Sequence, residues 1–397
     1  MRRDNAFNLL RPIYTSGPLS RAHLAEMAKA APSHVSVVVR EALNRGLLLE
    51  RGFAPSNGGR RRILLEVNRE LAKLIGIDIG RAHIRFVVSD FVGNIVTYKW
   101  LPTEPQQGKA HVLQVVQDEL QSLLGQHPGI GAIGISHSGV IDPHAGKVLF
   151  WPMVEGWNDT PLKQIFEDGF GLPTFVEDCV RAEAITEQRF GHAKGLRNFV
   201  FVSVGMGIGS AIFFDGRLHI GRDGLAGELG HTTVAENGNL CSCGNRGCLE
   251  LYSSASAIVG RVRSELADGV SSTLTREVGD NLDQLSVELI IAAAKTHDRL
   301  SERVVAEAGM HLGTALASVV NLLNPEKVIL AGKVPQAGNE ILLGPLLYNL
   351  RQRAIPQAVK DLAVVVSQSG EEAAPLGMVL TAGEGVLKAR CRELEGK

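Results

Sequence analysis

The chain has 397 residues, of which 45% are hydrophobic and 21% charged, a balance that argues for a sizeable core in two or three domains and against bulk disorder. Five cysteines are too few for a disulfide scaffold, and the longest near-apolar run, Phe199 to Phe214, is too interrupted by Gly and Ser for a membrane span. The net charge of −1 conceals an asymmetry: residues 1–72 carry +6 and the remainder −7, as expected of a small basic module on an acidic body.

The basic module reads as three helices and a hairpin. Phe7, Leu10, Ile13 and Tyr14 recur near the 3.6-residue period, which predicts a helix over about 5–14, tempered by Pro12. Ser16-Gly17-Pro18 breaks the chain. Ser20 caps a second helix through Met27 and Ala28, with Leu24 and Met27 inward. A third helix spans 33–44, with Val35, Val38, Val39, Ala42 and Leu43 on its core side, and Gly46 ends it. Residues 47–53 and 63–67 form a hairpin with the tip Ser56-Asn57-Gly58-Gly59-Arg60-Arg61-Arg62.

Such an order is a winged helix-turn-helix whose third helix enters the DNA major groove. Its outward residues are Ser33, His34, Ser36, Val37 and Arg40, and the wing arginines Arg60, Arg61 and Arg62 reach phosphates or a narrow minor groove. A helical cap with a solvated basic loop is the alternative.

The body alternates strands and helices. Residues 73–90 form strand, turn at Asp78-Ile79-Gly80, and strand; a turn at Val92-Gly93-Asn94, a helix over about 110–124 and a strand over 130–136 follow. A second strand–turn–strand unit surrounds Gly205-Met206-Gly207-Ile208-Gly209. Two such units imply a duplicated, two-lobed α/β fold with a cleft between lobes. Long helices over 285–295 and 300–323 precede a buried strand at Val328 to Gly332. With no signal peptide evident at Met1-Arg2-Arg3-Asp4-Asn5, a cytoplasmic location and no membrane partner are expected.

The strongest local signal is Gly227-Glu228-Leu229-Gly230-His231 followed by Cys241-Ser242-Cys243-Gly244-Asn245-Arg246-Gly247-Cys248-Leu249-Glu250. His231, Cys241, Cys243 and Cys248 make a Cys₃His set that suits structural zinc, with no ligand position left for water. Free buried thiols are the alternative. Glu228 and Glu250 flank the ligands, where carboxylates can accept hydrogen bonds from the hydroxyls of a small polar ligand.

These motifs resemble the ROK family (repressors, open reading frames, kinases), and the N-terminal module resembles its repressor branch. The resemblance covers the whole chain and is most specific at Glu228-x-x-His231 joined to Cys241-x-Cys243-Gly244-x-x-Gly247-Cys248-x-Glu250. It implies an actin-like (ribonuclease H-like) sugar kinase fold behind a winged helix-turn-helix. The implied domains are 1–72, 73–180 and 181–397, the last helix packing back on the first lobe. It also implies zinc at the His and three Cys, and sugar contacts at Gly139, Asp178, Glu228, His231 and Glu250.

The kinase residues depart from the family's pattern. Family kinases carry Glu-Asn-Asp-Ala-Asn, whose Asp is the base; Glu187 and Phe190-Gly191 set a register that places Asp178 on the Asn and Cys179 on the catalytic Asp, whereas a one-residue shift, which would rotate a helix by ~100°, restores Asp178 as the base. A thiol, with a reference pKa of ~8.5, is a poor general base at neutral pH. Asp-x-Gly-Gly-Thr has become Asp78-Ile79-Gly80-Arg81-Ala82, Gly-Gly near the adenosine has become Ala331-Gly332, and Pro-Asn in the sugar loop has become Pro152-Met153. Use of ATP and enzymatic activity are therefore not expected. The implied protein is a bacterial transcriptional regulator of carbohydrate-related genes that binds operator DNA as a homodimer or homotetramer under sugar control. The alternatives are an ATP-dependent sugar kinase and a repressor without a ligand, held in one state.

Overall fold

The computed structural model describes residues 5–54, 61–151, 154–279 and 281–395. Arg60 and Pro152-Met153 lie outside the described residues. The chain separates into two compact units, Met1–Gly195 with Ser369–Lys397, and Leu196–Gln368. The expected limit at 180/181 falls instead near 195, because the helix that begins at Cys179 packs within the first unit.

The first unit opens with α1 (Asn5–Ser16), β1 (Leu19–Ser20), α2 (Arg21–Ala28), α3 (Pro32–Asn44), β2 (Leu48–Phe53) and β3 (Ile63–Val67). The strands form an antiparallel sheet in the order β1-β3-β2. Three helices followed by a hairpin is the element order expected of the basic module. Helix α1 continues through Pro12 to Ser16. The buried face of Phe7, Leu10, Ile13 and Tyr14 outweighs the one backbone donor that proline removes. Ser20 caps α2 by accepting the His23 N–H. The expected inward position of Met27 is corrected: it is 54% exposed, because this short helix buries only a narrow stripe through Leu24. Val35, Val39 and Ala42 anchor α3 in the core.

There follow β4 (Lys73–Ile79), β5 (His83–Ser89), β6 (Ile95–Pro102), α4 (Gly108–Gln126), β7 (Ile130–His137), the hairpin β8 (Val140–Asp142) and β9 (Lys147–Phe150), α5 (Leu162–Phe170), β10 (Thr174–Asp178) and α6 (Cys179–Phe190). Their sheet has the order β10-β7-β4-β5-β6. The second unit holds β11 (Phe199–Val204), β12 (Ile208–Phe214), β13 (Arg217–His219), α7 (Glu250–Ser253), α8 (Ala255–Ala267), α9 (Leu274–Val278), α10 (Val287–Lys295), α11 (Arg299–Leu323), β14 (Lys327–Ala331), α12 (Lys333–Arg353), α13 (Pro356–Val359) and β15 (Ala363–Val366). Its sheet, β13-β12-β11-β14-β15, repeats the first in order and sense, two antiparallel pairings followed by two parallel ones. That is the duplication the two glycine turns implied, and it is the actin-like architecture.

The final helix, α14 (Ala373–Leu394), returns to the first unit and packs on α6, β4 and β7. Gly377 makes this approach possible, since a Cβ there would collide with the Ala182 carbonyl of α6. Thr186 of α6 ties the pair by donating to the Ala373 carbonyl at 2.6 Å. Among the described residues, no helix is long and apolar enough to cross a membrane.

Candidate functional site

His231 lies at the end of a 3-10 turn, and Cys241, Cys243 and Cys248 lie on the loop that follows. Their four ligand atoms all fall within 4.8 Å of one another. Cys241 Sγ is 3.7 Å from His231 Nδ1, and Cys243 Sγ is 3.7 Å from Cys248 Sγ. Zinc–sulfur bonds of about 2.3 Å at tetrahedral angles place two sulfurs about 3.8 Å apart, so the donor set fits such an ion. Backbone hydrogen bonds impose the shape: Cys241 N–H to the Asn245 carbonyl, Gly247 N–H to the Asn239 carbonyl and Leu249 N–H to the Thr232 carbonyl. Gly247 is needed at its turn, for it has φ +68° and a Cβ would strike the Ala235 carbonyl. Burial and the neighbouring thiols push the Cys248 thiol up to about 12. Three sulfurs and one imidazole nitrogen converging on one point form a donor set that suits a single metal ion.

Glu250 begins α7 immediately after this loop, and its Oε2 accepts the Ile208 N–H at 3.0 Å. The second glycine turn is thereby tied to the zinc-type loop through a carboxylate. Glu228 starts the His231 turn and is exposed. The second unit therefore carries Glu228, His231 and Glu250 on one connected frame.

In the first unit, Asp178 is the N-cap of α6. Its Oδ1 accepts the N–H groups of Val180 at 2.9 Å and Arg181 at 3.1 Å. The junction rests on a buried ion pair that sequence reasoning missed: Glu177 Oε1 accepts from Arg181 Nη1 at 3.0 Å and from the Asp178 N–H at 2.9 Å. Cys179 is the first residue of α6, and burial, then the charges of Asp178 and Asp78, hold its thiol well above the ordinary range. At neutral pH it keeps its proton. Asp78 is buried, accepts from Ser136 Oγ at 2.9 Å and pairs with Arg85 at 3.4 Å. Arg81 and Ala82 are exposed beside it.

Gly139 follows β7, and its N–H donates to His137 Nδ1 at 2.9 Å. That bond leaves the ring proton on Nε2. The ring is fully buried against Trp151 and Trp157, and burial lowers its pKa to about 3. A histidine ordinarily titrates near 6.5, so the unfolded chain binds a proton that the folded chain refuses. The neutral-ring contribution is full above about pH 6.5 and is lost as pH falls toward 3. Denaturation midpoints at pH 7.5 and 5.0 should therefore differ less in His137→Gln than in the unmodified protein, and an equal difference would count against this assignment.

On α3, Ser33, Ser36, Val37 and Arg40 are exposed and His34 is half-buried. Arg61 and Arg62 are exposed at the described edge of the wing. Arg21, Arg45 and Arg51 are matched with Glu50, Glu41 and Glu66, which tempers the module's surplus charge.

A profile of the ROK family matches residues 74–384. A xylose repressor of Caldicellulosiruptor bescii is 31% identical over 383 residues, covering 96% of this chain and 95% of that protein. The crystal structure of a ROK family transcriptional regulator, a homologue of the Escherichia coli MLC protein, superposes with a TM-score of 0.82 at 29% identity over 98% of both chains. A ROK family glucokinase from Streptomyces griseus, solved with glucose and AMPPNP, gives 0.68 at 30% identity, covering 78% of this chain and 99% of that one.

Proposed function

This chain belongs to the ROK family, and we propose that it is a sugar-responsive, DNA-binding transcriptional repressor of carbohydrate-related genes in the bacterial cytoplasm. The observation that carries the reading is the union, in one chain, of a winged helix-turn-helix with the complete Glu228, His231, three-cysteine and Glu250 constellation. The match to the relative named as a xylose repressor covers 96% of this chain, more than the body alone could supply.

In this reading α3 enters the major groove with Ser33, His34, Ser36, Val37 and Arg40, and Arg60, Arg61 and Arg62 contact the backbone or minor groove. The effector-binding candidates are Gly139 and Asp178 in the first unit and Glu228, His231 and Glu250 in the second, each taken within its own unit. Zinc, when bound to His231, Cys241, Cys243 and Cys248, closes the loop that presents Glu228 and Glu250. A sugar that prefers one arrangement of the protomers in a homodimer or homotetramer changes the spacing of their recognition helices.

Phosphoryl transfer is disfavoured by this chain's own groups. Cys179 holds its proton, and Asp178 has an oxygen committed to capping α6. Footprinting on DNA upstream of the protein's own gene tests the reading. Two protected, pseudo-palindromic half-sites about one DNA turn, or a multiple of it, apart are expected. Uniform, sequence-independent protection together with ATP turnover on a hexose would favour the kinase instead.

A further inference from the structure

The winged module is not hung on a linker. Its α1 runs antiparallel along α14, in contacts that repeat at helical spacing: Tyr14 Oη donates to the Leu380 carbonyl at 3.1 Å, Arg11 pairs with Glu384 at 2.6 Å, and Lys388 lies over the Phe7 ring at 5.8 Å. Further along, the Ala6 N–H donates to Glu395 at 2.8 Å. Leu24, Val35, Val39 and Leu48 of the module share one core with Leu74, Phe91, Leu376, Leu380 and Leu387 of the body. Tyr14 is the centre of the contact. It is buried, its ring meets Phe91 edge-on, and its hydroxyl fills the space that Gly383 leaves by having no side chain; a Cβ on Gly383 would overlap that oxygen.

The other side of α14 lies against α6 and β7. Each of those elements leads into an effector residue of the proposed function: Asp178 caps α6, and Gly139 follows β7. From the module outward, the physical sequence is α3 and α1, Tyr14 on Gly383, α14, and then the two elements that present Asp178 and Gly139.

We propose that the Tyr14–Gly383 contact is a latch that makes the DNA-reading module one body with α14, so that operator binding and the state of the Asp178 and Gly139 segments are coupled through it. The proposal rests on the repressor reading above. Packed elements of this kind transmit displacement because a dense core cannot deform gradually. The coupling is reciprocal, so it can be read from the DNA side without knowing the sugar.

The chain supplies its own reporter. Its three tryptophans, Trp100, Trp151 and Trp157, all lie outside residues 1–72, and two of them surround the His137 ring that holds Gly139. Full-length zinc-loaded protein is titrated with the footprinted DNA while tryptophan emission and DNA anisotropy are followed together. The unmodified protein is expected to change its emission as the DNA saturates. Gly383→Ala should lose at least two-thirds of that change while its DNA affinity stays within about fivefold. Adding Tyr14→Phe, which removes the overlapped oxygen, should restore part of it. Tyr14→Phe alone keeps the ring and the fold and loses only the bond to Leu380; its emission change should fall by at least a third.

Emission that stays constant in the unmodified protein at saturation, or a change fully retained in both single variants, overturns the latch. Failure of the unmodified protein to bind DNA selectively overturns the repressor reading, and the latch with it. The anisotropy signal tells these failures apart.

Discussion

Cys248→Ala is expected to have the largest effect on the proposed sugar response. Cys248 is fully buried, pairs across the loop with Thr233 and is followed directly by Leu249 and Glu250. Removing its sulfur leaves three ligands, where changes even one shell further out commonly cost roughly 10- to 100-fold in metal affinity. The loop between Thr232 and Glu250 then loses its closure, and Glu250 loses the position from which it accepts the Ile208 N–H. Bound zinc, measured by elemental analysis, should fall from one per chain to near zero. The sugar's effect on DNA binding should fall at least tenfold, while DNA affinity without sugar, which depends on the first unit, stays within about threefold. Full zinc content in the variant, or an intact sugar response in verified metal-free protein, would contradict the assigned role.

The second large effect is on stability. Gly377→Ala places a methyl against the Ala182 carbonyl where α14 crosses α6. In an open helix, Gly to Ala gains about 0.8–1 kcal/mol from helix propensity. Here the neighbour is backbone in a second helix, so relief requires moving α14 as a whole, and overpacking of this kind typically costs about 1–3 kcal/mol or more. The clash outweighs the propensity, and a net loss of roughly 1–2 kcal/mol is expected. Gly260→Ala in α8 is the control, because its Cβ meets nothing within 4 Å. That variant should be equal or more stable. Denaturant midpoints of the two variants should move in opposite directions; movement in the same direction would show that the α6–α14 approach is not as tight as described.

Much of the site was legible because its chemistry is local. Four ligands within 18 residues, with glycines at 244 and 247, announce a folded-back loop before any tertiary contact is known. The same holds for Ser20 as a cap and for the apolar stripe of α3. The signal for β6 was present in the β-branched and aromatic run Ile95 to Trp100, but its edge position exposes both faces and blurs the alternation. Met27 was misplaced because period alone does not say how wide a buried stripe is.

The rest depends on contacts far apart in sequence. That Tyr14 meets Leu380, or that Glu187 of α6 accepts from Ser369, follows from where the chain returns. Nothing local to α14 marks which of its glycines face another backbone. Asp178 illustrates both sides. Its place beside Cys179 was readable, whereas its commitment to the N-terminus of α6 became visible only with the helix formed.

DNA anisotropy at fixed, stated salt, with a panel of sugars and sugar phosphates titrated against a protein–operator complex, tests the repressor reading most directly. Salt is held because phosphate contacts make the affinity depend on it. Selective binding that one of these sugars weakens at least tenfold, without consumption of ATP, is expected. Selective binding that no sugar alters, or a sugar effect that requires ATP turnover, would contradict that reading.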